Sequence, residues 1–373
     1  MAEILFVTWD GGGNVPPALG IAAELISRGH GVRFVGHPGQ RAALEEAGVA
    51  VAASQHARPF SALDDNSPPA LISMFGDRGL GRDALASLVD RDADVVVVDC
   101  LLFGVMDELR RAGRSYVVLE HLYDAYLTGG FLKGPMGWGL WARRLHPTWA
   151  LERAQLRLVT SVPSLDPAGA RTGLTYVGPV SPVGGVDVES RAADPLVLVS
   201  LSTYRFPGMA ACLQRILDAC SDLDARVIAT TGPVVDPREV RAPANAEVHR
   251  WVAHVELMPR ATLMVGHGGH GSTMQALAHD LPMVLVPMHP LLDQPVVARS
   301  VEAAGAARVV RKRASADRLR PVVAQMLADG PHRAAAAALG QEIRALPGAA
   351  GAADRIEALT DGAVTSARPA GQP

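Results

Sequence analysis

The most informative run in the chain is TLMVGHGGHGSTMQALAH, residues 262–279. Its apolar start, 262–265, predicts a buried strand, and the glycines that follow predict a loop leading into a helix with Ser272 as its N-cap. Glycines let backbone amides approach a ligand closely, and a helix N-terminus carries about half a positive charge. The run therefore predicts an anion site, and a diphosphate is its natural occupant.

Two structural alternatives apply to the same run. Ser272 and Gln275 have the spacing of a capping box, in which case the glycines serve only the turn. The other alternative is a zinc site, whose candidate ligands are His267, His270 and His279. No cysteine or well-placed carboxylate accompanies these histidines in the sequence, so we predict that no metal is bound there.

A dinucleotide site is the rival functional interpretation. Gly266, Gly268 and Gly271 satisfy the G-x-G-x-x-G pattern, and Asp293 lies about where a ribose-binding acid is expected. That acid should stand at the end of the next strand, whereas a proline-rich stretch separates Asp293 from the predicted strand 283–286. A nicotinamide-dependent oxidoreductase therefore stays open as an alternative function.

Strands and helices alternate on both sides of this run. In the second half, the predicted strands are 196–201, 226–229, 262–265 and 283–286, and the helices include 209–219 and 272–279. In the first half, the predicted strands are 4–8, 32–35, 95–98 and 115–119, with helices ending near Gly29 and covering 106–111. This alternation predicts an α/β protein with two doubly wound, Rossmann-like parallel sheets.

A concentration of proline and glycine between the halves predicts an interdomain linker. We expect a first domain over 1–165, a linker over 166–193, a second domain over 194–350, and a C-terminal helix with a frayed tail over 351–373. Open parallel sheets bind ligands beyond the carboxyl ends of their strands. We therefore expect the two domains to face a cleft that holds the active site.

The composition excludes several classes of protein. With 49% hydrophobic residues, the chain can form hydrophobic cores. Its net charge of −3 provides no basic surface for binding nucleic acid. It has no signal-peptide pattern and no apolar stretch near the ~20 residues of a membrane helix. The cysteines, Cys100, Cys212 and Cys220, form no spaced framework, and Cys100 is predicted to be a small buried hydrophobe. A cytoplasmic protein without a membrane span is predicted.

Residues 251–254, 267–272, Gln275, Pro287 and 293–294 resemble the donor-binding signature of family 1 glycosyltransferases. Enzymes of this family have the GT-B fold and transfer sugars from nucleoside diphosphates to small lipophilic acceptors. The resemblance implies an inverting enzyme of the bacterial natural-product type. It implies a dTDP- or UDP-linked sugar as co-substrate, no cofactor, and a small aromatic or polyketide-like acceptor. An epimerase or hydrolase that acts on the same donors is a further alternative.

The resemblance also implies roles for residues of the second domain. Trp251 and Val252 would contact the nucleobase, although a half-buried aromatic at a strand end is an equally ordinary role for Trp251. Gln275 would reach the ribose, and Asp293 with Gln294 would bind the sugar hydroxyls. The other donor-binding candidates lie around the diphosphate or after neighbouring strands; they are Ser202, Thr203, Thr231, His267, Gly269, Gly271, Ser272 and Thr273.

The acceptor side departs from the family pattern. The loop after the first strand usually carries G-H-x-x-P or G-D-x-x-P, with the histidine or aspartate as the base, and Asn14 takes that place here. An amide cannot take a proton near neutral pH, so Asn14 is expected to orient the acceptor. Alternatively, Asn14 serves only as the N-cap of the helix that begins at the following prolines.

Other residues are candidates for the missing base. Asp99 matches the family position whose carboxylate orients the usual histidine, and it is expected to matter most, unless it is only a solvated loop residue. Asp10, Glu120 and His121 also follow predicted strands, and an acidic acceptor would need no base at all. Segment 57–82 is predicted to form acceptor-lining loops because it carries three large apolar residues, Phe60, Met74 and Phe75.

Overall fold

A computed structural model describes residues 1–65, 67–180 and 195–366, with side chains described up to residue 360. The chain divides into two compact units. The described part of the first unit comprises 1–65, 67–161, 168–180 and 346–366, and that of the second comprises 162–167 and 195–345. Each unit contains one parallel sheet with helices around it.

The first unit contains a seven-stranded sheet in the order β3-β2-β1-β4-β5-β6-β7. Its strands are β1 (Glu3–Val7), β2 (Gly31–Val35), β3 (Ala50–Val51), β4 (Val95–Asp99), β5 (Val117–Glu120), β6 (Leu156–Val159) and β7 (Thr175–Tyr176). Every residue of β4 and β5 is buried, as expected for strands covered on both faces. Strands β2 and β3 follow β1 on one side of the sheet, and β5, β6 and β7 follow β4 on the other side. The topological switch point therefore lies between β1 and β4.

Helices surround this sheet. They are α1 (Val15–Ser27), α2 (Arg41–Glu46), α3 (Pro68–Phe75), α4 (Arg78–Asp90), α5 (Phe103–Arg111), α6 (Pro135–Ala142) and α7 (Pro147–Glu152), with a 3₁₀ turn at Pro38–Gln40 and a π-helix at Tyr126–Phe131. The core contains Ile21 and Leu25 of α1 packed with Phe6 and Phe34, whose rings stack at 5.0 Å. This stack fastens β1 to its neighbour β2.

The second unit contains a six-stranded sheet in the order β10-β9-β8-β11-β12-β13. Its strands are β8 (Leu196–Ser200), β9 (Arg226–Thr230), β10 (Ala246–His249), β11 (Leu263–Gly266), β12 (Met283–Leu285) and β13 (Ala307–Val309). Its helices are α8 (Met209–Cys220), α9 (His254–Leu257), α10 (His270–Ala278), α11 (Gln294–Ala303), α12 (Ala316–Leu327) and α13 (Pro331–Ala345), with a 3₁₀ turn at Pro237–Glu239. The switch point here lies between β8 and β11.

The last helix, α14 (Gly348–Ser366), belongs to the first unit. Ala352, Ala353 and Ile356 are buried in the core beneath α1. Arg28, at the end of α1, donates to Asp354 at 2.7 Å and to Glu357 at 2.8 Å. The small side chains let the two helices approach closely, and the ion pairs fix their register.

The two parallel sheets confirm the predicted α/β fold class. Each predicted strand is present, with ends displaced by one or two residues, whereas the short strands β3, β6, β7, β10 and β13 were not predicted. Part of the predicted linker, 166–180, contains β7, and residues 181–194 lie outside the described residues. The predicted C-terminal element begins at Gly348, and residues 367–373 are also outside the described part. No helix in the described ranges is long and apolar enough to cross a membrane.

Candidate functional site

The glycine-rich run of the second unit forms a strand, a loop and a helix, as predicted. Gly268 has a φ of +79°, and a Cβ there would also lie 3.1 Å from the carbonyl oxygen of Gln294. The predicted N-cap is wrong, because α10 begins at His270 with Gly269 as its N-cap. Ser272 lies inside the first turn, where its hydroxyl donates to the carbonyl of Gly269 at 3.2 Å.

The start of α10 offers backbone donors to an anion. The amide of Thr273 donates to Gly269 at 3.1 Å, so only the hydroxyl of Thr273 is left for a ligand. The amides of Gly271 and Ser272 precede it and have no acceptor within the helix. A Cβ on Gly271 would meet nothing within 4 Å, which shows open space beside this residue. The helix therefore presents donors toward a space that a ligand can enter.

His267 is a neutral donor beside these amides. Burial lowers the pKa of His267 to about 4, so its ring carries no charge at pH 7. Its Nδ1 is buried and has no hydrogen-bond partner among the described residues. A Cβ on Gly269 would lie 2.3 Å from its Nε2, so glycine is required for the ring to pack there. His267 can thus contribute a hydrogen bond, but no positive charge, to an anion.

Polar residues end two further strands on the same edge of this sheet. Thr230, the last residue of β9, donates from its hydroxyl to Ser200 of β8 at 3.0 Å, and Nε2 of His254 lies 3.4 Å from that hydroxyl. Just beyond, Ser202 accepts from an amide at 3.0 Å. Ser200 and Thr230 were not among the predicted site residues, although a polar residue that closes an apolar strand was the available signal.

The other predicted residues of this edge differ in exposure. Thr203 is exposed, whereas Thr231 is buried and its amide donates to the carbonyl of His249 at 3.0 Å. Trp251 follows β10 and is 75% exposed, so the interpretation of a half-buried aromatic is wrong. Val252 beside it is half-buried. Trp251 therefore presents an exposed indole, which provides a flat surface for stacking.

Asp293 and Gln294 lie at the start of α11, after β12. Gln294 is buried, and its side-chain oxygen accepts from the amides of Met288 at 2.7 Å and His289 at 3.2 Å. That oxygen therefore holds the turn before the helix, and only the amide nitrogen is left for a sugar. Asp293 occupies the N-cap position, is half-buried and makes no capping hydrogen bond.

Gln275 and the three histidines test the remaining predictions for α10. Gln275 is half-buried, and its backbone carbonyl accepts from Nδ1 of His279 at 2.9 Å. His279 is thus engaged with the last turn of the helix, whereas His267 precedes the first turn. The three histidines of this run form no ligand cluster within the described residues.

Asn14 has a different role from the capping residue that was one of the predictions. It occupies the N-cap position of α1 but makes no capping hydrogen bond. A capping side chain accepts from the second or third helical amide, and here those residues are Pro16 and Pro17, which have none. Instead, Nδ2 of Asn14 donates to Thr8 Oγ1 at 3.2 Å, to the carbonyl of Trp9 at 3.0 Å and to Oδ2 of Asp99 at 3.0 Å.

Asp99 is held in place from several directions. It is the last residue of β4 and is buried, so the interpretation as a solvated loop residue is wrong. Its Oδ1 accepts from the amide of Leu101 at 3.0 Å, and its Oδ2 lies 3.3 Å from Nε2 of His121. The contact with Asn14 spans the β1–β4 switch point, where parallel sheets bind ligands.

The ligand-type atoms of Asp99, Cys100 and His121 lie within 4.8 Å of one another. Burial raises the pKa of the Cys100 thiol well above its usual range. A metal binds the thiolate, so this protonated thiol is a poor ligand. Cys100 is fully buried, which confirms its predicted character as a small hydrophobe.

The two other candidate bases are placed differently. Glu120 is buried and accepts from Nε of Arg157 at 2.7 Å, so its carboxylate is committed to an ion pair. Asp10 lies in the loop after β1, and its backbone carbonyl accepts from the amide of Ala62 at 3.3 Å. Burial lowers the pKa of His37, and the charge of Asp10 partly opposes this effect.

A cavity of about 430 Å³ opens in the first unit beside the predicted acceptor segment. Phe60 and Met74 line it, and the ring of Phe60 lies 6.1 Å from that of Trp9. Phe75 is buried and packs edge-on against Trp9 at 5.3 Å. The segment was predicted to form loops, but it contains α3 and the start of α4. Phe60 and Phe75 of this segment both contact the ring of Trp9, so the three rings form one aromatic cluster.

Comparison with known proteins gives a consistent result. Residues 214–359 match the C-terminal domain of the erythromycin biosynthesis protein CIII-like family. The chain is 26% identical to 4'-demethylrebeccamycin synthase of Lentzea aerocolonigenes, over 96% of this chain and 99% of that protein. Its fold is similar to that of the kitacinnamycin glycosyltransferase, with a TM-score of 0.78, 25% identity, and coverage of 96% and 99% of the two chains.

A second solved structure shares the fold and holds a nucleotide. The spinosyn rhamnosyltransferase SpnG, complexed with thymidine diphosphate, has a TM-score of 0.72 at 19% identity and covers 96% of this chain and 100% of its own. Its likeness supports the architecture of two parallel-sheet units. The sequence relatives identify this chain as a glycosyltransferase of the natural-product type, and the structural likeness identifies its architecture as the GT-B fold.

Proposed function

We propose that the chain is an inverting glycosyltransferase that moves a sugar from a dTDP- or UDP-linked donor to a small lipophilic aglycone. The observation that carries the proposal is the arrangement at the start of α10. There, two amides without helical acceptors, at Gly271 and Ser272, stand beside a half-buried, neutral His267. This is a donor set for a diphosphate.

The donor would lie along the strand ends of the second unit. Trp251 offers an exposed ring for the base, and the amides of α10 would bind the diphosphate. Asp293 and the amide nitrogen of Gln294 would bind sugar hydroxyls, because a carboxylate accepts and an amide nitrogen donates. The thymidine diphosphate held by SpnG supports a dTDP-linked donor.

The reaction would be a single displacement at the anomeric carbon. The acceptor oxygen or nitrogen forms the new bond while the bond to the diphosphate oxygen breaks. Negative charge then collects on the leaving diphosphate, and the start of α10 with His267 would stabilise it more strongly than in the ground state. This stabilisation needs no metal, so we propose the donor sugar nucleotide as co-substrate without a further cofactor.

The acceptor is proposed to bind the first unit. The cavity lined by Phe60 and Met74 also carries charged side chains, among them Arg58 and Asp77, so it suits a small aglycone that has both an apolar ring and polar groups. The three cysteines are buried and unpaired, which fits a reducing cytoplasm as the site of the reaction.

A thermal-shift panel tests the proposal. A ligand that binds only the folded chain raises the unfolding midpoint by mass action. We expect dTDP or UDP to raise the midpoint and NAD to leave it unchanged. A response to NAD alone would favour the oxidoreductase, and rapid turnover of a sugar nucleotide without acceptor would favour the epimerase or hydrolase.

A further inference from the structure

The cavity of about 430 Å³ in the first unit is lined by a buried histidine with an unpaired ring nitrogen. This residue, His37, follows β2 and lines the cavity together with Phe60, and the centroids of the two rings lie 5.8 Å apart. His37 is 1% exposed, and its Nε2 makes no hydrogen bond within the described part of the chain. Leaving a buried polar atom unsatisfied is costly, so Nε2 indicates a place for a polar atom of a ligand.

The other ring nitrogen determines where His37 carries its hydrogen. Nδ1 lies 2.7 Å from the backbone carbonyl oxygen of Arg58. A carbonyl oxygen only accepts hydrogen bonds, so Nδ1 carries the hydrogen and donates it. Burial lowers the pKa of His37, despite the opposing bond to Arg58 and the opposing charge of Asp77. The ring is therefore neutral, and its Nε2 presents a lone pair that accepts hydrogen bonds.

The charged groups of the cavity are also mostly acceptors. The described residues that line it include three aspartates, Asp64, Asp65 and Asp77, and one arginine, Arg58. Asp77 is buried, whereas Asp64 and Asp65 are exposed. An ionised carboxylate can only accept hydrogen bonds. The cavity therefore favours a ligand that donates hydrogen bonds over a ligand that carries a negative charge.

We infer that this cavity selects aglycones that carry an O–H or N–H group on or beside an apolar ring, and that Nε2 of His37 accepts the hydrogen bond from that group. This selectivity rests on the proposed function, which places the acceptor in this cavity. The ring of the aglycone would pack against Phe60 and Met74. A site built to bind such a group rejects an analogue that lacks it, because the buried polar atom is then left unpaired.

The role of His37 is binding and not proton transfer. A histidine whose pKa is lowered by burial is a weak base, so the group bound at Nε2 keeps its proton. No bond of that group breaks at this residue. His37 therefore determines which aglycone binds and how it is oriented, and the base of the transfer reaction is a different group.

Three naphthalene compounds test the selectivity on the full chain without any sugar donor. 2-Naphthol carries an O–H group, 2-methoxynaphthalene has the same rings without a donor, and 2-naphthoate is an anion. In calorimetry, we expect 2-naphthol to bind roughly two- to tenfold more tightly than 2-methoxynaphthalene, which is the value of one neutral hydrogen bond. We expect 2-naphthoate to bind more weakly than 2-naphthol. Equal affinities for the first two compounds, a preference for 2-naphthoate, or no binding by any of them would overturn the inference.

Two substitutions separate the roles of the two ring nitrogens. Asparagine reaches the position of Nδ1 and can keep the bond to Arg58, but it has no atom at the position of Nε2. Glutamine reaches the position of Nε2 and offers an oxygen that accepts there. We expect the preference for 2-naphthol to disappear in His37→Asn and to be partly kept in His37→Gln. His146→Gln, which changes an exposed histidine of the same unit, is the matched control and should keep the full preference.

A crystal structure of the parent protein with 2-naphthol tests the contact without any variant. We expect the naphthol oxygen within about 3 Å of Nε2 of His37, the distance of a hydrogen bond. A naphthol bound elsewhere, or bound in this cavity with its oxygen away from His37, would overturn the inference. The full preference for 2-naphthol in a folded His37→Asn variant would overturn it as well.

These outcomes are distinct from a failure of the proposed function. The binding measurements and the complex need no sugar nucleotide, so they decide the role of His37 whether or not the chain transfers a sugar. Absence of transfer from dTDP- and UDP-linked sugars to any acceptor would refute the proposed function and leave the hydrogen bond to His37 in place. Transfer to 2-naphthol, combined with equal affinity for 2-methoxynaphthalene, would support the proposed function and overturn the role of His37.

Discussion

Replacing Asn14 by aspartate tests whether Asn14 holds Asp99 in place. The change preserves the shape of the side chain but replaces Nδ2, which donates to three acceptors, by an oxygen that cannot donate. The new oxygen would stand about 3.0 Å from Oδ2 of Asp99. At an effective dielectric constant of about 20, two unit charges at this distance repel by about 5.5 kcal/mol, so the pair must bind a proton.

Uptake of that proton limits the loss of folding stability and makes this loss depend on pH. Above about pH 4 the unfolded chain leaves both carboxyls ionised, whereas the folded variant keeps one proton on the pair. The folded state then binds more protons than the unfolded state, so stability falls as pH rises, by up to about 1.4 kcal/mol per unit. Between pH 5 and 7 the variant should lose up to about 2.7 kcal/mol relative to the parent protein.

Urea unfolding at pH 5 and pH 7 measures this difference. Asn14→Ala is the matched control, since it removes the same donor without adding a charge. We expect the control to differ from the parent by the same amount at both pH values, and Asn14→Asp to differ by more at pH 7. An equal difference for Asn14→Asp at both pH values would refute the contact between residues 14 and 99.

Other outcomes follow from the same contacts. His267→Ala should weaken dTDP or UDP binding by roughly ten- to a hundredfold, the loss of one hydrogen bond to a charged group, and unchanged affinity in calorimetry would remove His267 from the site. Asp293→Asn should lower turnover of the sugar nucleotide and spare the affinity for free nucleotide; a parallel loss of both would place Asp293 on the ribose. Arg28→Ala should loosen α14 and increase amide exchange along it, because Arg28 bonds to Asp354 and Glu357, whereas Arg41→Ala, which breaks an exposed pair within α2, should not.

The fold was predictable because its signals are local. The all-valine run 95–98 and the apolar run before Gly266 can be buried on both faces, and each lies in a strand at a switch point. The edge strands were missed because each contains only two to four residues, and many of these are half-exposed. Such strands are too short to show an alternating hydrophobic pattern. The return of α14 to the first unit was not predictable either, since its partner Arg28 is more than 300 positions away and alanine-rich helices suit many surfaces.

The donor site followed from the sequence to the extent that it is built from consecutive residues. A strand followed by a glycine loop and a helix places Gly271 and Ser272 near the helix start, so an error of three residues in the N-cap did not change the predicted anion site. The charge of His267 was not predictable in the same way. Its low pKa comes from burial by the surrounding fold, which no local pattern describes.

For Asn14, the alternative prediction of a capping role was wrong although the decisive signal lies in the neighbouring residues. A capping role was one of the two interpretations of Asn14, but prolines at the second and third helical positions remove both amides that such a cap would bind. The buried side-chain amide still needs hydrogen-bond acceptors, because an unsatisfied buried donor costs about 1 to 3 kcal/mol. The nearest acceptors are the Trp9 carbonyl and the Asp99 carboxylate across the switch point. The two prolines therefore leave the Asn14 side chain to bond away from its own helix, to the Asp99 carboxylate on the other side of the switch point.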